Sequence, residues 1–94
     1  MIPPSHVDLY DLARHLISSQ IGQLSQQRRE ERSRRGSGTA VAEIELRIDE
    51  LLSEREMLSI TDRTSLEEII RRYARSPEGA ECAIESINEF YRSI

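Results

Sequence analysis

Apolar residues recur three and four apart along most of the chain, in four blocks, which is the period of a helix. From His6 to about Arg35 nothing breaks a helix. At the helical angle, Val7, Leu9, Tyr10, Leu12, Ala13, Leu16 and Ile17 spread over roughly 220° of its surface. A helix facing one neighbour needs a stripe of only ~100°. The first half of this helix is therefore expected to be covered on two sides. Beyond it only Ile21 and Leu24 are apolar, so the helix is expected to leave the core and project outward.

The second block runs from about Ala40 to Leu58. Val41, Ile44, Ile48, Leu51, Leu52 and Leu58 form a stripe about 120° wide, spaced like a coiled-coil seam. Arg55 falls in the middle of this stripe and must snorkel or pair with an acid, which makes it a candidate for setting the register. Leu46 and Met57 lie away from the stripe, with Ala42 and Ser53 between them, and form a candidate contact edge. Leu66, Ile69, Ile70 and Tyr73 share one face of a third helix, over about 65–75. Thr64 with Glu67, or Ser65 with Glu68, would cap it, and Glu67–Arg71 and Glu68–Arg72 are favourable pairs along it. Ala80, Ala83, Ile84, Ile87, Phe90, Tyr91 and Ile94 mark a fourth, over about 77–92. Opposite that stripe Glu78, Glu81, Glu85 and Glu89 form an acidic ridge.

Turn chemistry separates the blocks. Pro3-Pro4-Ser5 reads as a start signal, with Ser5 as the cap and Asp8 as the acid of the first turn. Gly36 fits the left-handed position past a helix end, Gly38 permits a reversal, and Thr39 or Ser37 can cap the second helix. Ser76-Pro77-Glu78 supplies a cap and then a proline at the first helical position. The prediction is an all-α fold: a long antiparallel hairpin (about 6–35 and 40–58) and two shorter C-terminal helices, in one domain of residues 1–94. The first helix would span ~44 Å and the second ~30 Å. Helices 3 and 4 should then pack on the part of helix 1 that helix 2 does not reach. The seam, with Ile21, Leu24, Val41, Ile44, Ile48, Leu51 and Arg55, is a thin two-helix layer. Two copies would complete it as a four-helix bundle, so a homodimer is expected.

Composition favours the same reading. Charged residues make up 32% and apolar residues 37%, which suits amphipathic helices better than a thick core. All 13 basic residues are Arg. Residues 1–38 hold six Arg against Asp8, Asp11, Glu30 and Glu31, a net +2, whereas residues 39–94 hold seven Arg against 13 acids, a net −6. An acidic chain with one basic tip is poorly suited to general nucleic-acid binding, which needs many cations on one surface. The tip, residues 28–39, carries Arg28, Arg29, Arg32, Arg34 and Arg35, interleaved with Glu30 and Glu31 and with no aromatic for base stacking. Arginines there also complement the negative end of a helix dipole.

Candidate chemistry is sparse. Cys82 is the lone cysteine, His6 and His15 stand nine residues apart, and Asp11 with His15 makes at most a surface pair. No run is long enough to span a membrane and the N-terminus lacks a signal-peptide pattern, so a soluble, cytoplasmic setting is expected. No phosphate loop, Cys-x-x-Cys or His-Glu-x-x-His occurs, and no cofactor or metal is called for. Ile48-Asp49-Glu50-Leu51-Leu52-Ser53-Glu54-Arg55 resembles part of the first helix of the helical chorismate mutases, a resemblance that would imply an Arg-lined pocket in a helical dimer. The chain departs from that pattern: it has no Lys, and Ser76-Pro77-Glu78-Gly79 lacks the family's Arg-Glu pair, so no catalytic residue is carried over. The expected function is non-enzymatic: an adaptor, inhibitor or regulator that occupies a partner protein's surface. Its candidate contacts are the five tip arginines, Leu46 and Met57, and the ridge Glu78, Glu81, Glu85 and Glu89. A nucleic-acid-binding regulator using the tip is the alternative; a secretion co-chaperone or antitoxin-like protein is a further one.

Overall fold

The computed structural model describes residues 2–34 and 38–93. Among them are four helices and no strand: α1 (Pro4–Ser33), α2 (Gly38–Glu56), α3 (Arg63–Tyr73) and α4 (Pro77–Arg92). The all-α expectation holds, with boundaries shifted by about two residues at most ends. The chain divides into two compact units, one of residues 1–16 and 58–94, the other of residues 17–57. Helix α1 runs unbroken through the division.

In the first unit Leu9 and Ala13 of α1, Leu66 and Ile70 of α3, and Ala80 and Ile84 of α4 form one buried cluster. Tyr10, Leu12, Leu16, Leu58, Ile69, Ala74 and Ile87 pack around it. Helices 3 and 4 therefore cover the start of helix 1, as the wide apolar arc requires. Val7, at the margin of that arc, stays 39% exposed. Leu58, which periodicity assigns to the α2 stripe, lies beyond the end of α2 and packs on the first unit's core instead. Polar ties cross this unit. Tyr91 Oη donates to Asp8 Oδ2 at 2.6 Å, and His6 Nδ1 donates to the Ile60 carbonyl at 3.1 Å. Arg63 donates to Asn88 Oδ1 and, at 3.4 Å, to Glu67 Oε1.

The caps correct the sequence reading in two places. Helix α3 is capped by Asp62, whose carboxylate accepts from Ser65 N at 3.2 Å and from Ser65 Oγ at 2.8 Å. Neither Thr64 nor Ser65 is the cap. A carboxylate caps as well as a hydroxyl does, and its charge also suits the positive end of the dipole. Ser5 is not the cap of α1 either, because the helix already includes Pro4. Proline loses nothing in a first turn, where its missing N–H would have had no partner. Ser76 does cap α4, accepting from Gly79 N at 3.0 Å, with Pro77 first in the helix.

The second unit is the hairpin of α1 from Ile17 onward and α2. Ile17 and Leu51 are fully buried and Ile48 nearly so. Ile21, Leu24, Val41 and Ile44 are only half-buried. Arg55, expected to snorkel or to pair with an acid, donates from Nη1 to Ser18 Oγ at 3.1 Å across the hairpin. Gly38 opens α2, and Thr39 lies inside the helix, so Thr39 is not its cap. Gly36, Ser37 and Arg35, assigned by sequence to the turn, lie outside the described residues.

Candidate functional site: the hairpin end and the exposed helix faces

The end of α1 carries four of the five tip arginines among the described residues. Arg32 Nη2 donates to Glu45 Oε1 of α2 at 2.7 Å, tying the two helices of the hairpin together. Arg34 Nη1 approaches Glu31 Oε1 at 3.9 Å within the last turn. These pairs are largely exposed, so each contributes at most ~1 kcal/mol. Their larger effect is on the field, because each guanidinium is matched by a nearby carboxylate. Arg29 is exposed. Arg28 differs from the rest: it sits at the seam, half-buried, and its Nε is buried without a hydrogen-bond partner. Charge patterning alone groups Arg28 with the solvated tip. Counting in steps of four and three from Ile17 through Ile21 and Leu24 arrives at Arg28, and that is the signal in the sequence that could have found it.

On α2, Leu46 is 61% exposed and Met57, just past the helix end, is 82% exposed. Ala42 and Ser53 are exposed too, so this outer edge of α2 is uncovered. On α4 the ridge residues Glu78, Glu81, Glu85 and Glu89 all face solvent. The ridge is not uniformly available, since Glu81 is bound by Arg71 of α3. Sequence spacing pairs Arg71 with Glu67 along its own helix, and the side chain turns to Glu81 on the neighbouring one instead. Glu67 is taken up by Arg63. The Arg72 guanidinium stands 6.0 Å from the Tyr73 ring centroid, in cation–π range. Glu85 and Glu89 line a shallow polar notch with Asn88 and Arg92, two residues that the ridge pattern did not include. Phe90, 60% exposed, packs edge-on against Tyr91.

The titratable groups displaced from their ordinary range belong to these structural contacts. Hydrogen bonds from the Ser65 side chain and backbone hold Asp62 below the usual carboxylate value. The hydrogen bond from Arg71 lowers Glu81, and the same bond raises Arg71. The hydrogen bond to Asp8 raises the Tyr91 phenol. Among the described residues no group of three His, Cys, Asp or Glu is placed to hold a metal, and no helix is long and apolar enough to cross a membrane. Cys82 is an exposed thiol. Comparison of the chain with protein-family models, with curated proteins and with solved structures gives no match.

Proposed function

We propose that this chain is a non-enzymatic, cytoplasmic binding protein that acts by occupying the surface of a partner protein, as an adaptor, inhibitor or regulator does. It works as a homodimer whose hairpin presents Arg28, Arg29, Arg32, Arg34 and Arg35, with Leu46 and Met57 on the outer edge of α2 and the Glu78–Glu89 ridge as further contacts. The observation that best supports a protein partner over nucleic acid is the ion pairing of the tip, Arg32 with Glu45 and Arg34 with Glu31. Interleaved carboxylates weaken the uniform positive field that a phosphate backbone requires. They suit a protein surface with alternating charges, where complementarity sets register and specificity.

The test has two arms. A pull-down from the native host with the wild-type chain identifies the partner, and the variant with all five tip arginines replaced by Ser is then compared with it. The helical circular-dichroism signal should stay unchanged while capture of that partner is lost. Equal capture by the variant would remove the tip from the reading. A gel-shift series from low to high salt with duplex and single-stranded probes forms the second arm. Retardation that weakens steeply with salt would transfer the tip to nucleic acid.

A further inference from the structure

Helix α4 packs one side into the core of the first unit and leaves a second face open. Gly79, Ala83, Ser86 and Phe90 follow one another in steps of four, three and four, so they lie on one face of the helix. Gly79, Ser86 and Phe90 are exposed, Phe90 by 60%, and Ala83 is half-buried. Cys82 and Ser93 border this row on one side and Ile87 on the other, so the strip is uncharged along its length. All the charged residues of α4, Glu78, Glu81, Glu85, Glu89 and Arg92, lie about 90° or more from its middle. An exposed aromatic on an uncharged strip, in a chain where 32% of residues are charged, has the composition of a contact core. The Tyr91–Asp8 bond brings the start of α1 beside this end of α4, where Val7 is a further exposed apolar side chain. Gly79 has an internal reason as well, since a Cβ there would stand 3.0 Å from the capping Ser76 Oγ.

We propose that this face of α4 receives a basic amphipathic helix of the partner, its apolar side on Ala83 and Phe90 and its cations along Glu78, Glu85 and Glu89. The proposal rests on the protein-binding reading of the proposed function and names the chemistry of that partner. The occupant follows from the charges of the whole unit. Residues 1–16 and 58–94 hold nine acids against six Arg, a net −3. Arg63 is taken by Glu67 and Asn88, and Arg71 by Glu81. Arg72 stands by the Tyr73 ring, Arg75 lies in the connection before α4, and Arg14 belongs to α1. Among the described residues Glu78, Glu85 and Glu89 form no ion pair, and Arg92 is the one cation beside the last two, in the polar notch. That edge therefore keeps a net negative charge. A second copy meeting this face across a two-fold axis would set ridge beside ridge, carboxylate against carboxylate. Nucleic acid and anionic membrane are repelled for the same reason. A helix suits the strip because steps of four and three are the spacing of the grooves between helical side chains. The small Gly79 and Ala83 let its apolar side chains settle next to Phe90.

The test uses the full chain and two fluorescent amphipathic peptides, one of Leu and Lys and its counterpart of Leu and Glu, read by anisotropy. The Leu/Lys peptide should bind, less tightly as salt rises, and the Leu/Glu peptide should not. Phe90→Ala should weaken binding about tenfold or more, and so should Glu85→Gln with Glu89→Gln. Glu43→Gln with Glu56→Gln removes the same charge from exposed positions of α2 and should leave binding nearly unchanged. Circular dichroism should show that each variant keeps its helices. Absence of binding, equal binding of both peptides, or a loss that follows net charge wherever the acids are removed would overturn the proposal. So would a Phe90→Ala variant that binds as the wild type does. Light scattering adds a further outcome: a dimer that Phe90→Ala dissociates would give the face to a second copy and overturn the proposal. None of these outcomes involves the tip arginines, so the reading of the tip and this one fall separately.

Discussion

At Arg28 the hairpin seam holds a guanidinium whose Nε is buried and has no acceptor. A buried donor left without a partner costs ~1–3 kcal/mol, whereas the aliphatic stem beside it packs usefully. Arg28→Met keeps the stem and removes the donor, so it should raise the stability of the chain by about 1 kcal/mol in urea denaturation. Loss of stability would show that the rest of the guanidinium contributes more than the orphaned nitrogen costs. Arg55 is the opposite case, since its Nη1 has the Ser18 hydroxyl. Ser18→Ala strands that donor in a half-buried place and should cost ~1–2 kcal/mol by the same measurement. Periodicity marks Arg55 as a charge within an apolar stripe, and the structure agrees. It gives no means of finding Ser18, because a serine 37 residues away carries no local sign of being opposite.

At the scale of the helices, end chemistry is local and largely readable. Ser76-Pro77 marks the start of α4, and Ser76→Ala should cost about 1 kcal/mol through the lost bond to Gly79 N. The start of α3 is ambiguous in the sequence, because Asp62, Thr64 and Ser65 all have capping side chains within four positions. Which of them caps depends on where the connection from α2 delivers the chain. That cap has a pH signature. Asp62 has a folded-state value below its ordinary one, so its contribution is present above the unfolded value of 3.8 and is lost as pH falls through the lowered one. Glu81 behaves in the same sense from 4.5 downward. Thermal unfolding between neutral and acid pH should therefore show a steeper acid loss in the wild type than in a variant carrying Asp62→Asn and Glu81→Gln. Parallel curves for the two would mean that these bonds do not persist in solution. Tyr91 has the reverse sign: its raised phenol favours folding below pH 10, and that advantage fades as pH rises through the folded value, an effect that Tyr91→Phe removes.

For the whole molecule, the two units differ in how completely they bury apolar surface. The first closes a cluster from three helices, and Leu66→Ala, at a fully buried position, should cost ~2–5 kcal/mol. Among its described residues the hairpin buries only Ile17, Ile48 and Leu51 well, and leaves Ile21, Leu24, Val41 and Ile44 half-open. Amide exchange should accordingly be faster at 38–47 than at 63–73, and protection at 38–47 should rise with protein concentration if a second copy covers the hairpin. Equal protection in both segments at every concentration would contradict this. By itself the sequence determined that the chain is helical, where its helices start and stop to within about two residues, and that α3 and α4 are needed to cover the wide face of α1. It also marked the arginine-rich end of α1. These depend on periodicity and turn chemistry, which act over a few residues. Only the tertiary structure decided that Arg32 pairs with Glu45, that Arg71 leaves Glu67 for Glu81, that Leu58 joins the core of α1, α3 and α4, and that the Arg28 Nε is buried without a partner. Arg71 has Glu67 four positions back on its own helix as well as Glu81 on the next. Packing between helices, which no local spacing encodes, selects among them.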